Sequence, residues 1–443
     1  MEPVQLKPDE ALPALRRAML VDGLQIVLDL EASQGCELVD AATGERYLDL
    51  FGFVSSNALG MNHPRLTEPA VAAEIGRIAL HKPSNSDIYN VAMAEFVETF
   101  RRVLGDPRLP HHFFIEGGGL AIENALKAAF DYKSRLNEAR GLSPDLGAQV
   151  VHLRHAFHGR TGYTMSLTNT DPVKTARYPK FDWPRITAPY LGTDDKGSPR
   201  PVEQLEAISL RAAEKAFATY GPDIAACIVE PIQSEGGDHH FRPEYLQALQ
   251  RITHAHDALF IVDEVQTGVG MTGTAWAYQQ LGLEPDIVAF GKKTQVCGIM
   301  AGGKLDEVPD NVFAVSGRLN STWGGGLVDM VRAKHILATI ETDGLIERAA
   351  EVGRWLLAEL EALAGRQPLL TDPRGRGLLC AFSLPSPEFR TRFLSELLKR
   401  GVIMLGCGDR SVRLRPPLVI TVAELRRGLA AIEDTLASLR SGG

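Results

Sequence analysis

The chain has 443 residues, too many for one small core and enough for two or three domains. With 44% hydrophobic and 23% charged residues it is ordinary globular material, and a formal charge of −8 gives no reason to expect nucleic acid or an anionic membrane as partner. No apolar run approaches membrane-spanning length, MEPVQLKPDEALPAL lacks the order of a secretory signal, and five cysteines without a CxxC make a reducing cytoplasm the expected setting.

The first sixty residues are mixed. YLDLFGFVSSNALGMNHP has strand-like pieces running into a turn, with Ser55, Ser56 and Asn57 as small polar residues. From about 70 to 330, helical and strand patterns alternate. AMAEFVETFRRVL and AIENALKAAFDYKSR carry helix periodicity, while VVHLR, AACIVEPI, ALFIVDEV and PDIVAFG read as short buried strands. Such alternation predicts a largely parallel sheet with helices on both faces. After about 330, DMVRAKHILATIETDGLIERAAEVGRWLLAELEALAGR is mostly helical, and GRGLLCAFSL, GVIMLG and SVRLRPPL read as strands. In the closing TVAELRRGLAAIEDTLASLR, Thr421 and Glu424 fit a capping box, with Leu425, Leu429, Ile432, Leu436 and Leu439 on one face. The expected organisation is a large domain over 71–330 and a smaller, discontinuous α+β domain made of 1–70 and 331–443.

ALFIVDEV ends an apolar strand on Asp263 and Glu264, and a carboxylate there is costly unless something positive meets it. Gly268, Gly270 and Gly273 follow as GxGxxG, a dinucleotide-binding pattern that would make the chain a nicotinamide-dependent dehydrogenase. Two acids between the strand and the glycines would repel a diphosphate, and TAWAYQQLG is no long helix. Downstream, the strand DIVAF runs into Gly291, Lys292 and Lys293. A lysine at the C-terminal end of a buried strand lies where open α/β sheets place ligands, and partial removal from water makes it a usable nucleophile. The plainer alternative is two solvated lysines in a loop. Pyridoxal 5'-phosphate would use both features: a lysine to form its Schiff base and an aspartate to keep its ring nitrogen protonated.

The DE-x-Q-x-G motif followed by D-I-V-A-x-G-K resembles the class III, or omega, aminotransferases, along essentially the whole chain. MLVDGLQIVLDL, KPSNSD, YPKFDWPRI, FGKKTQVCG and STWGGGL are most similar to members acting on the terminal amine of L-lysine. The resemblance implies the type I pyridoxal-phosphate aminotransferase fold. It makes Asp263 the partner of the cofactor's ring nitrogen, Gln266 the partner of its 3-oxygen and Lys292 the Schiff-base lysine, with Lys293 facing away. Glu264 is expected to be structural, since adjacent strand residues point to opposite faces. EGGGLAIENA matches the phosphate turn, where the amides of Gly118 and Gly119 would serve; Gly119 replaces the family's usual serine and Leu120 its usual acid. In HAFHGRTG, Phe157 matches the ring-stacking aromatic. The nearby His152, His155 and His158 are not read as a metal site, because no cysteine or acid completes a set. Thr322 matches a residue that reaches the cofactor of a neighbouring subunit, which implies a homodimer with shared active sites.

For substrate, the resemblance gives Arg160 the carboxylate distant from the reacting nitrogen, and Arg413 the second carboxylate of glutamate. Glu235 would cover Arg413 while lysine is bound and swing away for glutamate. Arg413 and Arg415 could exchange roles. Asn320 and Val54 are candidate pocket-lining residues. The implied reaction is a ping-pong transfer from L-lysine to 2-oxoglutarate, giving 2-aminoadipate 6-semialdehyde and L-glutamate, with Lys292 carrying the proton. Alternatives are an omega-aminotransferase for ornithine or 4-aminobutyrate, an aminomutase, a dehydrogenase, or a non-catalytic binding protein.

Overall fold

The computed structural model describes residues 3–194 and 197–441. A seven-stranded sheet forms its centre, in the spatial order His111–Ile115, Cys297–Ala301, Ile287–Phe290, Leu259–Asp263, Ile224–Val229, Gln149–Leu153 and Arg185–Ile186. Neighbours run parallel except for Cys297–Ala301, which is antiparallel to both strands beside it. The four apolar stretches read as strands in the central part of the sequence all enter this sheet. Cys297–Ala301 has no legible pattern, because CGIMA is buried throughout and follows the two lysines with only the three-residue turn Lys292–Thr294 before it.

Period-two alternation decides which way the acids at the strand tip point. Leu259 and Ile261 share an apolar cluster with Ala121, Ile122 and Ala125 of the helix Gly118–Ala139. Phe260 and Val262 face the opposite layer, with Phe217, Leu246 and Leu249 of the helices Val202–Tyr220 and Pro243–Ala255. Each fully buried side chain of this size contributes roughly 1.5–3 kcal/mol, so a one-residue slip would forfeit several such terms. Asp263 is therefore committed to the side of the helix Gly118–Ala139, and Glu264 to the other. There Glu264 accepts hydrogen bonds from the Thr267 hydroxyl and, at 2.7 Å, from the Tyr278 N–H.

The glycines after this strand serve packing. A Cβ at Gly268 would come within 2.5 Å of the Trp276 ring, and one at Gly273 (φ +91°) within 2.7 Å of the Ala350 Cβ. The only helix in the loop is the four-residue Ala277–Gln280, too short to present a phosphate-binding end.

The chain ends meet beside this sheet. Glu37–Val39 pairs antiparallel with Arg46–Asp49, which pairs in parallel with Val402–Ile403. A four-stranded antiparallel sheet runs in the order Thr371–Arg376, Leu379–Ser383, Ser411–Leu414 and Leu405–Cys407. The last helix, Val422–Ser441, begins with the expected reciprocal cap: Thr421 N–H donates to Glu424 Oε2 at 2.7 Å and Glu424 N–H to Thr421 Oγ1 at 3.2 Å. Leu425, Leu429, Ile432 and Leu436 are buried.

Between these layers, Gly52–Ser55 forms a left-handed turn, with φ of +49°, +58° and +69° at Phe53, Val54 and Ser55. Left-handed non-glycine residues cost roughly 1–2 kcal/mol each, so this turn needs outside support. Asp49 Oδ1 accepts the N–H groups of Phe51 (2.9 Å) and Gly52 (2.6 Å), and the Nζ of the buried Lys293 donates to Ser55 Oγ (2.8 Å) and its carbonyl (3.2 Å).

Burial pushes the Glu264 carboxyl up to about 7 from an ordinary value of 4.5. Below about 4.5 it is protonated folded or unfolded and costs nothing; between 4.5 and 7 the unfolded chain releases the proton first, so stability falls as pH rises. Thermal unfolding of Glu264→Gln beside the parent should show the parent losing ground from pH 4.5 to 7. A constant difference between the two across that range would contradict the assignment.

Candidate active site

The C-terminal tips of the parallel strands open on a cavity of about 510 Å³ lined by Gly118, Gly119, Phe157, Glu235, Asp263, Gln266 and Lys292. Asp263 and Lys292 arrive there because their strands are parallel neighbours in register, with Asp263 beside Ala289 and Lys292 three residues further on. Asp263 is 6% exposed. Its Oδ1 accepts the Val265 N–H at 3.1 Å, and its Oδ2 lies 2.8 Å from Nδ1 of the buried His158. The carboxylate accepts, so His158 holds its proton on Nδ1; its buried Nε2 has no hydrogen-bond partner among the described residues.

Lys292 takes a left-handed φ of +56°. Its ammonium is pushed down to about 8, first by burial and then by the Arg413 guanidinium, with Glu235 and Asp263 pulling the other way. A lysine in that range is a competent nucleophile and proton carrier near neutral pH. Lys293 points elsewhere: its Nζ bonds Ser55 and, at 3.2 Å, the Gln266 carbonyl.

The helix Gly118–Ala139 starts after Gly117 (φ +93°) with no side-chain cap, leaving its first amides to the cavity. A Cβ on Gly119 would lie 3.2 Å from Thr161 Cγ2, so Thr161 crowds any side chain at this position. The Thr161 hydroxyl is already committed to Glu123 at 2.5 Å.

Arg413 donates to Glu235 Oε2 at 2.9 Å, whereas the fully buried Arg415 pairs with Asp238 and donates to the carbonyl of Leu414 at 2.7 Å. That pairing decides between the two arginines: Arg413 is the one Glu235 covers. Gln266 Oε1 sits 3.5 Å from Arg413 and 3.4 Å from Arg415.

Five expected site residues do not line this cavity: Arg413, which stands behind Glu235, and four that lie further apart. Arg160 lines a neighbouring cavity of about 970 Å³, with Lys174, Tyr178, Lys180 and Phe181. Val54, expected to line the pocket, does not line the central cavity, because it belongs to the left-handed turn that Lys293 holds from below. Asn320, expected likewise, is exposed outside it, and so is Thr322, whose carbonyl accepts from Ser86 Oγ at 3.4 Å. These two stand on a loop that the chain's own core does not fold over.

The structure adds Glu230, which sequence reasoning passed over. It follows the strand Ile224–Val229 as Asp263 ends its own, so an acid at a strand tip was the available signal. Glu230 accepts the N–H groups of Phe157 (2.9 Å) and Ser234 (3.3 Å), tying the aromatic segment to the Glu235 turn. Burial, then the nearby Asp263 charge, holds its carboxyl well above the usual range.

Residues 19–436 match the family model of the class III aminotransferases. The chain belongs to that family. It is 60% identical over 433 residues to the L-lysine-epsilon aminotransferase of Mycobacterium bovis, covering 97% of this chain and 96% of that protein. Against the enzyme of that name from Amycolatopsis lactamdurans it is 56% identical over 432 residues, covering 96% and 95%. Among solved structures, lysine aminotransferase from M. tuberculosis in the internal aldimine form superposes with a TM-score of 0.95 at 60% identity, covering 98% of this chain and 100% of that one.

Class III aminotransferases work with pyridoxal 5'-phosphate, and the residues of this aminotransferase fit it. Asp263 is a buried carboxylate facing a cavity with room for a ring, Lys292 is a depressed amine just past the end of the next strand, and the helix start offers amides to a phosphate. Lys292→Ala should fold and still take up cofactor but lose roughly 10⁴-fold or more in turnover, the upper range for a general acid–base group. Asp263→Asn should keep its absorbance on cofactor addition and lose at least about a hundredfold. Stopped-flow absorbance with an amine donor checks both, and near-parental rates in either variant would refute the assignment.

Proposed function

We propose that this aminotransferase moves the terminal amino group of L-lysine to 2-oxoglutarate in two half-reactions, giving 2-aminoadipate 6-semialdehyde and L-glutamate. The observation that carries this reading is the Arg413–Glu235 pair, 2.9 Å apart, in which Glu235 lines the cavity that holds Lys292 and stands between it and Arg413. Lysine brings only methylene to the neighbourhood of its reacting nitrogen, and an uncovered Arg413 would be a buried, unpaired cation against an apolar chain. Glutamate and 2-oxoglutarate bring a carboxylate there, which Arg413 accepts once Glu235 withdraws. Arg160 would hold the far carboxylate of either substrate. The names of the similar mycobacterial and Amycolatopsis proteins favour the same donor.

When bound, pyridoxal phosphate supplies the electron sink that labilises the proton on the amine-bearing carbon. Asp263, fixed by His158, holds the ring-nitrogen proton. Lys292 would take the proton from the substrate carbon and deliver it to the cofactor side of the reacting nitrogen. Glu230 keeps Phe157 and the Glu235 turn in place while this happens.

The active form we propose is a homodimer, with Thr322 and Asn320 serving the partner's site. Its support is the apolar surface around them: Leu80, Ile88, Tyr89, Val91 and Trp323 are all exposed, and Ser86 ties the two loops together through the Ser321 carbonyl. Residues 1–70 and 331–443 would form the small domain beside a large one of 71–330. Among the described residues no helix is long and apolar enough to cross a membrane. The five buried, unpaired cysteines accord with a cytoplasmic setting.

Assays of lysine, ornithine and 4-aminobutyrate, each with 2-oxoglutarate, should rank lysine first; a clear preference for ornithine would keep the chemistry and discard the donor. Glu235→Ala should slow the lysine half-reaction by roughly a hundredfold, since a buried unpaired cation costs about 3 kcal/mol or more, and leave the 2-oxoglutarate half-reaction near its parental rate.

A further inference from the structure

Glu235 is held by two cations. Its Oε2 meets Arg413, and its Oε1 lies 2.5 Å from the Nζ of Lys174, on the short helix Pro172–Thr175. From the geometry we infer that Lys174 is a positioning residue that keeps Glu235 paired after it leaves Arg413, and so sets how readily the site accepts the α-carboxylate of 2-oxoglutarate. This rests on the reading of Arg413 and Glu235 given above and extends it to a residue outside the central cavity.

The backbone under Glu235 cannot move to release Arg413. A Cβ on Gly236 would already lie 2.2 Å from the His155 carbonyl oxygen. The Glu235 carbonyl accepts the Gly408 N–H at 2.9 Å, and Arg374 donates to the carbonyls of Gly237 (2.5 Å) and Asp238 (2.9 Å). Withdrawal is therefore a side-chain rotation. The space for it lies outward: Glu235 lines the central cavity and also a second one of about 550 Å³, which it shares with Lys174, Arg390 and Asp409. Arg413 is anchored on the strand Ser411–Leu414 with its side chain 5% exposed, while Lys174 is 23% exposed on a flexible stem. The inner cation stays, and the outer one follows the carboxylate.

Charge balance gives the direction of the effect. In the lysine half-reaction Glu235 is shared, so losing Lys174 leaves Arg413 covered, and more tightly. In the 2-oxoglutarate half-reaction the incoming carboxylate takes Arg413, and without Lys174 the displaced Glu235 carboxylate has lost both partners beside a second anion. Removing Lys174 thus penalises one half-reaction alone, and Arg should restore what Met removes because it replaces the charge.

The test uses the cofactor-loaded protein, with each half-reaction followed separately by cofactor absorbance, and calorimetric binding of glutarate, which has both carboxylates of 2-oxoglutarate and no ketone. Lys174→Met should weaken glutarate binding and lower the 2-oxoglutarate efficiency by about tenfold, change the lysine half-reaction less than about twofold, and Lys174→Arg should recover most of the loss. In a Glu235→Ala background, Lys174→Met should have no further effect. Equal losses in both half-reactions, or a loss that persists without Glu235, would overturn the inference: Lys174 would then be binding the substrate's far carboxylate itself or supporting the fold. A parental protein that fails with lysine but reacts with another amine defeats only the donor assignment, and the comparison proceeds with that amine. A parental protein indifferent to glutarate and 2-oxoglutarate overturns both.

Discussion

A carboxylate delivered to the tip of an apolar parallel strand is the constraint around which the site is arranged. Asp263 cannot turn away, because Leu259 and Ile261 on its face and Phe260 and Val262 on the other are each locked into a packed layer. It cannot be left uncompensated either, since a buried anion demands donors or a cation. His158 and the Val265 N–H meet part of that demand within the chain, and a pyridinium ring would complete it. The neighbouring parallel strand then brings Lys292 to the same opening. Paired strands thus give this site a precision that a loop would not have.

Around that pair the protein manages several buried charges of both signs, and each has a defined partner. Arg415 is neutralised by Asp238, Arg413 by Glu235, and Lys293 is hydrogen-bonded to Ser55 and the Gln266 carbonyl. The contrast between the two arginines is functional. The Arg415–Asp238 pair is sealed and holds the Glu235 turn from below, whereas Glu235 is partly open and borders two cavities, so only the second pair can exchange partners. Lys292 and Lys293 divide labour in the same way: one opens on the cavity, the other fastens the left-handed turn of the N-terminal segment beneath it.

Several of these features are legible in the amino-acid sequence. The acid at the end of ALFIVDEV and the lysine at the end of DIVAFGKK stood out because both break an apolar pattern at a place where open sheets bind ligands. The glycine triplet after Asp263 was readable as a decoy from the intervening acids, and the structure supplies what those glycines do, which is to let Trp276 and Ala350 approach. Glu230 carries the same strand-end signal as Asp263, but no downstream lysine or motif marks it in the sequence. Lys174 gave no signal, since TDPVKTARY is an ordinary polar turn until it is folded over Glu235.

Local period and residue order along single segments are enough to read the alternation of strand and helix, the two reactive strand tips and the family. Tertiary structure decided which arginine faces Glu235, that Arg46–Asp49 pairs with Val402–Ile403 from the far end of the chain, and that Glu235 stands between two cations. Such contacts join residues tens to hundreds of positions apart, and nothing in their local sequence encodes the distance between them. Packing of the strands and helices sets that distance, and with it which charges meet.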